Sequence, residues 1–243
     1  MNDVISLLCP TRGRPARFTE FVRSVAATAV QPGRIEILAY VDDDDPEKAA
    51  YIAAYKTLGT DPRIAALKGV DLHVGEPLNT PLINNILAES AKGDILMIAN
   101  DDQVFRDTSW DRRIDEEAKR FPDGIFCMWF NDGRYGEKIC TFPILGRRWI
   151  ETLGYIEPPL FEHFNCDLWT WQIAQMIGRT HYIGDILVEH QHPDTGKMDA
   201  DATTERNLAG GRPDRDRAMF VKFERYRILD AERLKDAIKG TAP

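Results

Sequence analysis

The chain has 243 residues and a formal net charge of −8, with 31 Lys and Arg against 39 Asp and Glu. Hydrophobic residues make up 43% and charged residues 29%, which supplies a folded core and excludes a disordered chain. No apolar run approaches the roughly 20 residues that a membrane-spanning helix needs. The net acidity argues against indiscriminate binding of nucleic acid. Met1 to Val4 lack the basic-then-apolar order of a signal peptide, so a cytoplasmic protein is expected.

The four cysteines are scattered along the chain, at Cys9, Cys127, Cys140 and Cys166. None of them forms the C-x-x-C pair that is typical of structural zinc sites. Buried free thiols are therefore expected.

The chain opens with a strand, a basic turn and a helix. Val4 to Cys9 is an apolar run of strand length, and residues 17–28 carry apolar side chains at helical spacing. The turn between them contains Thr11, Arg12 and Arg14. The two guanidinium groups can pair with phosphate, and the Thr hydroxyl can bind a base or ribose. The alternative is a solvated basic turn.

A second predicted strand, Ile35 to Val41, ends in four consecutive aspartates, Asp42 to Asp45. An acid just past a strand can accept from a ribose hydroxyl or a base N–H. Four adjacent carboxylates repel one another, so the alternative is a fully exposed loop. Pro46 is expected to open a helix that ends at Leu58 and is capped by Asp45.

Two short strands are predicted next, Ile64 to Lys68 and Asp71 to Val74. A helix from Pro81 to about Ala91 follows, and its interior contains Asn84 and Asn85. Asparagine has a poor helix propensity, which suggests that one of the two faces a ligand or a neighbouring loop.

The run Ile95 to Ala99 predicts a strand buried on both faces, and it leads directly into Asn100, Asp101 and Asp102. The carboxyl ends of strands are where open α/β sheets bind ligands. Two adjacent carboxylates need a cation or a hydrogen-bond network, and hard oxygen ligands suit Mg²⁺ or Mn²⁺. A divalent ion at this position can grip a diphosphate. The alternative is an acidic helix cap.

The second half continues the alternation of helices and strands and then becomes polar. The predicted elements are an exposed helix (residues 110–120), a strand (125–130) paired through a turn with a second strand (137–142), a helix (147–153), a helix from Asp167 to Ile177, two strands (180–183 and 186–188), a mobile loop (198–211) and an amphipathic, locally basic tail helix (215–239).

Several side chains of this half are candidates for chemistry. Asp167 follows Glu162 and His163 in an aromatic segment, so it is a candidate general base, or else a helix cap. His190, or His192 two residues later, can supply a metal ligand. Four tryptophans can stack on sugar rings or bases, although core packing is the commoner role; they are Trp129, Trp149, Trp169 and Trp171.

With these pieces placed, residues 4–192 resemble the family-2-type glycosyltransferases of the GT-A fold. The resemblance rests on the order of several short motifs, which are Cys9-Pro10-Thr11-Arg12, Val41-Asp42-Asp43, Asn84-Asn85, Gly93-Asp94, Asn100-Asp101-Asp102, Asp167 and His190. Asn100 stands at the first position of the family's D-x-D-type signature, which is a departure from that pattern. The resemblance implies a mixed α/β sheet flanked by helices, with a C-terminal helical extension.

The resemblance also implies a role for each motif. Residues 1–195 would form the glycosyltransferase domain, donor half to about residue 105, and residues 196–243 a mobile loop and helix. A nucleotide-diphosphate sugar, with a UDP-sugar favoured, would bind Pro10, Thr11, Arg12, Arg14, Asp42, Asp43, Asn84, Asn85, Asn100 and Asp101. Asp102 and His190 would hold Mn²⁺ or Mg²⁺, and Asp167 would be the base of an inverting transfer. Trp129, Trp169, Glu162 and His163 would contact the acceptor.

Other functions remain open at this stage. The acceptor is expected to be a saccharide or lipid-linked sugar, and the alternative is a hydroxylated base in DNA, as in phage-type glycosyltransferases. A nucleotidyltransferase shares a related fold, but the turn at Thr11 to Pro15 lacks its lysine. A binding module without turnover is the third hypothesis.

Overall fold

A central sheet of eight strands runs through the protein, whose structure is a computed structural model that describes residues 4–240. Met1 to Asp3, on which part of the signal-peptide argument rests, lie outside the described residues. The strands are β1 (Ile5–Thr11), β2 (Ile35–Asp42), β3 (Gly69–Gly75), β4 (Ile95–Ile98), β5 (Gln103–Phe105), β6 (Cys127–Asn131), β7 (Ile144–Gly146) and β8 (Thr180–His190). They are flanked by helices, so the predicted mixed α/β architecture is confirmed.

The described residues form ten α-helices, of which α9 and α10 are separated by a single residue. They are α1 (Pro15–Thr28), α2 (Lys48–Leu58), α3 (Pro62–Ala65), α4 (Thr80–Ser90), α5 (Trp110–Ala118), α6 (Arg147–Leu153), α7 (Cys166–Ile177), α8 (Ala202–Leu208), α9 (Arg212–Lys222) and α10 (Glu224–Lys239). Within residues 4–240, no helix is both long and apolar enough to cross a membrane.

The sheet has the order β3-β2-β1-β4-β7-β6-β8-β5. The first four of these strands are parallel, so the carboxyl ends of β1, β2 and β4 open onto one edge. β7 is antiparallel to both β4 and β6, and β5 is antiparallel to β8. The pair β5–β8 places Gln103 opposite His190, which brings the aspartates before β5 beside the end of β8.

Both faces of the sheet carry a hydrophobic core. All eight residues of β2 are buried, as expected for a strand that is covered on both sides. In β1, Ile5 and Leu7 join the cluster on one face while Leu8 joins the cluster on the other. This alternation follows from the two-residue repeat of a strand.

The prediction of a strand at Ile64 to Lys68 is wrong, because the chain forms the short helix α3 there. The Asp61 carboxylate accepts from the Arg63 backbone N–H at 2.9 Å, and Pro62 follows it at the first helical position. Both features favour a helix start. The strand that pairs with β2 begins only at Gly69, and it includes the predicted segment Asp71 to Val74.

The prediction that Glu137 to Phe142 form the second strand of a hairpin is also wrong. A 3₁₀ turn occupies Gly136–Lys138, and the antiparallel partner of β6 is β7 instead. The cause is the Asp132 carboxylate, which accepts from three successive backbone N–H groups, those of residues 134, 135 and 136, at 2.8–2.9 Å. A carboxylate with these three bonds folds the loop onto itself before pairing can begin.

The polar segment Met198 to Gly211, predicted as a loop, contains α8 and a 3₁₀ turn. The Asp201 side chain caps this helix by accepting from the Thr204 N–H at 2.9 Å. The tail, predicted as one helix, is divided into α9 and α10, with Phe223 between them at φ −100° and ψ 19°.

Three boundaries also differ from the predictions. α2 begins at Lys48, and Asp45 accepts from the Glu47 N–H rather than capping a helix that starts at Pro46. The N-cap of α7 is Asn165, so Asp167 lies within the first turn. The two strands predicted between residues 180 and 188 are one strand, β8, which contains His190.

Candidate active site at the carboxyl edge of the sheet

A cleft opens at the edge where β1, β2 and β4 end. Most of the predicted site residues line it together, namely Pro10, Thr11, Arg12, Arg14, Asp42, Asn84, Asn100, Asp101, Asp102, His163, Asp167 and His190. Residues separated by up to 180 positions in the chain therefore meet in one cleft. The sheet topology accounts for this, because parallel strands present their carboxyl ends side by side.

Asp101 lies at the centre of a hydrogen-bond network. It accepts from the Thr11 hydroxyl at 2.5 Å and from the Arg14 guanidinium at 3.2 Å. Thr11 in turn shares a hydrogen bond of 2.7 Å with the Tyr51 hydroxyl. Burial raises the pKa of Asp101, and Arg14 opposes that rise. This network resolves the repulsion between the two adjacent aspartates.

Asp102 faces His190 across the cleft. The His190 Nε2 lies 3.7 Å from the Asp102 Oδ2, and Arg14 Nη1 lies 3.5 Å from the same oxygen. Burial disfavours the charge of Asp102, but His190 and Arg14 outweigh that effect and lower the pKa of the carboxyl group. Asp102 is thus the more acidic member of the aspartate pair.

The atoms of this pair fit a metal-binding role in part. Asp102 Oδ1 and His190 Nδ1 are both buried and have no hydrogen-bond partner, although buried polar atoms are normally paired. Within residues 4–240, no group of three or more His, Cys, Asp and Glu side chains is placed to hold a metal by itself. A carboxylate and an imidazole are an incomplete ligand set, so diphosphate oxygens and water would have to supply the remaining ligands.

The end of β2 carries a second charged cluster. Arg12 donates to Asp42 at 2.7 Å and also contacts Asp44, while Arg206 lies 3.5 Å from Asp42. Asp42 is buried although Asp44 is exposed. The prediction of a fully exposed aspartate loop therefore holds for only part of this run.

Asp167 also lines the cleft, in the first turn of α7. It accepts from the Leu168 backbone N–H at 2.7 Å, and burial raises its pKa to about 6. The residue before this helix, Asn165, has a positive φ of 66°, which is uncommon for a residue other than glycine. A carboxyl group with a raised pKa in a cleft is suited to exchange protons near neutral pH.

Both tryptophans predicted to bind the acceptor lie outside the cleft lining. Trp169 is 1% exposed, and its indole N–H donates to the Tyr155 hydroxyl at 3.1 Å. Trp129 is also buried, and its N–H donates to the Gly136 carbonyl at 3.0 Å. Both side chains therefore pack in the core, the alternative that the sequence left open.

Three other predicted contacts also fall outside the lining. Glu162 pairs with Arg212 and Arg215 of α9 at 3.0 and 2.7 Å. Asn85 binds the backbone of the loop that follows α6, accepting from the Ile156 N–H at 2.8 Å. Asp43 is exposed at the start of its loop.

The helix α8, which was not predicted from the sequence, contributes residues 203, 204 and 206–208 to the lining of the cleft. Asp201 forms two hydrogen bonds with Arg14, at 2.6 and 2.8 Å, and the Thr203 hydroxyl donates to the Arg12 carbonyl at 2.7 Å. Asn207 contacts His163 at 3.2 Å. An aspartate at the start of a helix is a recognisable N-cap signal, but its pairing with Arg14, 187 residues away, leaves no mark in the sequence.

Glu157 was missed as well. It is buried in the cleft wall, accepts from the Asn84 side chain at 2.7 Å, and has a pKa that burial raises to about 7. It is a single glutamate before two prolines, and no motif singles it out.

Comparison with known proteins identifies the fold. The structure is similar to a mannosyltransferase from Pyrobaculum calidifontis in complex with GDP-Man and Mn²⁺, with a TM-score of 0.60 at 11% identity over 98% of this chain and 76% of that one. It is also similar to S. aureus TarS, with a TM-score of 0.58 at 11% identity over 87% of this chain and 43% of that one. The chain has the GT-A glycosyltransferase fold.

In sequence, the chain is 29% identical over 116 residues to the O-antigen biosynthesis protein RfbC of Myxococcus xanthus. That match covers 48% of this chain and 8% of the relative, so the chain spans a small part of that protein. No protein-family model matches the chain. A fragment of S. aureus TarS in complex with UDP also has this fold, with a TM-score of 0.55 at 12% identity over 76% of this chain and 60% of that one.

Proposed function

We propose that this chain is a metal-dependent inverting glycosyltransferase that moves a sugar from a nucleotide-diphosphate sugar to an acceptor hydroxyl. The observation that carries the proposal is that two kinds of group line one cleft. Arg14, Asp101 and Asp102 form a charged cluster, called the donor side, and Asp167 adds a further carboxyl group to the same lining. The similar structures with UDP and with GDP-Man and Mn²⁺ support a donor of this class, and a UDP-sugar is favoured.

Asp167 acts as the general base in this proposal. Its carboxylate takes the proton of the acceptor hydroxyl while that oxygen forms a bond to the anomeric carbon. The bond from the anomeric carbon to the diphosphate breaks on the opposite face. With a pKa of about 6, the carboxyl group is ionised at neutral pH and still basic enough to receive a proton.

The leaving diphosphate gathers negative charge, which Arg14 and Arg12 can stabilise. Asp102 and His190 would hold a divalent cation, Mn²⁺ or Mg²⁺, that neutralises part of this charge. Thr11 and Asp101 hold Arg14 in position through their shared network. Asp42 would contact the ribose or base of the nucleotide at the end of β2.

A saccharide or lipid-linked sugar is the acceptor class to test first, and the O-antigen biosynthesis name of the relative supports it. A DNA acceptor gains no support from three of the C-terminal basic residues. Arg206, Arg212 and Arg215 are engaged by Asp42 and Glu162. The acidic chain therefore offers no free basic surface at these three positions.

The proposal is tested by incubating the protein with Mn²⁺, a panel of nucleotide sugars and candidate acceptors, and by following the nucleotide product. A glycosyltransferase releases a nucleoside diphosphate, whereas a nucleotidyltransferase releases or consumes pyrophosphate. Asp167→Asn should abolish transfer but retain nucleotide binding. Tight nucleotide-sugar binding without turnover on any acceptor would instead indicate a binding module.

A further inference from the structure

The lining of the cleft contains a carboxyl group that the proposed mechanism leaves unused. Glu157 is 4% exposed and lines the cleft. None of the ion pairs found among residues 4–240 includes it, and its pKa is raised mainly by burial. A buried carboxyl group without a cation costs folding free energy, so its position needs an explanation.

Two adjacent asparagines of α4 fix this glutamate. The Asn84 Nδ2 donates to the Glu157 Oε2 at 2.7 Å, and the Asn85 Nδ2 donates to the Glu157 backbone carbonyl at 2.8 Å. The side chain and the backbone of Glu157 are thus held independently. Such double fixation is typical of a group that must present its oxygens in one direction.

The same arrangement leaves an unpaired acceptor. Asn84 is fully buried, and its Oδ1 has no hydrogen-bond partner. Asn84 also lines the cleft. Because a buried carbonyl oxygen without a donor is unfavourable, this position favours a ligand that brings a donor.

We propose that Glu157 and Asn84 accept hydrogen bonds from hydroxyl groups of the sugar that is transferred, and that this pair sets the sugar specificity of the cleft. The inference rests on the proposed function, because it assumes a nucleotide-sugar donor. It adds a specificity role to a residue outside the motifs that carried the sequence resemblance.

The chemistry of the pair selects this ligand class. Both groups offer acceptors, so they suit hydroxyl donors and repel phosphate oxygens. Their position suits the sugar as well. Asn84 and Glu157 line the same cleft as Arg14 and Asp102, and Glu157 lies close enough to Asp167 for the charge of Asp167 to contribute to its raised pKa. The transferred sugar must occupy the space between diphosphate and base.

The experiment measures binding by calorimetry with Mn²⁺ at pH 8, above the pKa of about 7 of Glu157, for the wild-type protein, Glu157→Gln and the matched control Glu151→Gln, which changes an exposed glutamate of α6. The probes are UDP, UDP-glucose, UDP-galactose, GDP and GDP-mannose. Gln keeps the acceptor for Asn84 but removes the charge. We expect unchanged nucleoside-diphosphate affinity and about tenfold weaker binding of the preferred sugar nucleotide in Glu157→Gln alone, since a hydrogen bond to a charged group is the stronger kind.

The outcomes separate the inference from the function on which it rests. If Glu157→Gln binds every sugar nucleotide as the wild type does, the role of the glutamate is purely structural. The inference then fails, while the proposed function stands. If sugar-nucleotide binding is unchanged but Glu157→Gln raises the KM of the acceptor in the transfer assay, the hydroxyls belong to the acceptor and the assignment is overturned. If the wild-type protein binds no nucleoside diphosphate or nucleotide sugar, the proposed function itself fails.

Deoxygenated donors provide a second measurement that needs no folded variant. Removal of the hydroxyl that donates to Glu157 should weaken wild-type binding about tenfold at one ring position, and this loss should disappear in Glu157→Gln. Equal binding of all the deoxygenated donors by the wild-type protein would refute the inference even if the variant did not fold.

Discussion

Asp167→Asn should remove activity and stabilise the protein at the same time. Burial raises the pKa of Asp167 from 3.8 to about 6. The folded state therefore binds the proton more tightly than the unfolded state does, and ionisation of this group opposes folding. The difference corresponds to at most about 3 kcal/mol of unfolding free energy. Asparagine is never charged and can still accept from the Leu168 N–H.

The sign of the pH dependence follows from the raised pKa. Below pH 3.8 the carboxyl group is protonated in both states, so the variant gains nothing. Its advantage should grow between about pH 4 and 6 and stay constant above that range. The transfer rate should fall by roughly 10²–10⁴ because the base is lost. In the wild-type protein, the rate should rise with pH to half of its plateau near pH 6.

The assay is urea unfolding from pH 4.5 to 8, together with the rate of nucleoside-diphosphate release. Asp71→Asn, at an exposed position of β3, is the matched control and should show no pH-dependent gain. Equal stability of Asp167→Asn and the wild-type protein at pH 8 would refute the conclusion that burial of the Asp167 carboxylate destabilises the fold. Full activity of the variant would refute the role of Asp167 as the general base.

Three further variants test other parts of the structure. Asp201→Ala frees Arg14 from two hydrogen bonds and should therefore raise the affinity for a nucleoside diphosphate severalfold, as measured by calorimetry. Weaker binding by the variant would contradict this and would show that α8 helps to hold the ligand. Trp169→Ala should lower the free energy of unfolding in urea by roughly 3–5 kcal/mol, because this ring packs in the core. The KM of the acceptor should not change in the folded variant. A raised KM would instead support the predicted role of Trp169 in acceptor binding. Gly93→Ala should lower the melting temperature, since the added Cβ would lie 2.6 Å from the Val4 carbonyl oxygen. An unchanged melting temperature would contradict this close packing.

Most of the donor side could be predicted from the sequence because it follows local patterns. Strand-length apolar runs that end in polar residues mark β1, β2 and β4, and parallel strands present those ends at one edge. The meeting of Thr11, Asp42 and Asp102 in one cleft follows from that topology.

The remaining features depend on contacts between distant residues. Asp132 redirects the chain after β6 by binding three backbone N–H groups, and the strand pattern of residues 137–142 carries no sign of that turn. The pairing of Asp201 with Arg14 and of Glu157 with Asn84 joins residues more than 70 positions apart. Tertiary contacts of this kind override local propensity and cannot be derived from spacing.

The tryptophans show a different limit. A large aromatic side chain suits both a sugar platform and a core, and the sequence does not distinguish the two. Burial decides between them for Trp129 and Trp169, since both rings are covered and both indole N–H groups already have partners.

The central claim is a metal-assisted nucleotide site at Asp102 and His190, and thermal melting with ligands tests it most directly. UDP or GDP with Mn²⁺ should raise the melting temperature of the wild-type protein more than the nucleotide does with a chelator. A ligand present at about 100 times its Kd adds roughly 2.7 kcal/mol of stability. Asp102→Ala and His190→Ala should lose the metal-dependent part, and Asp71→Ala should keep it. Stabilisation that is the same with Mn²⁺ and with chelator, or absent with every nucleotide, would contradict the account.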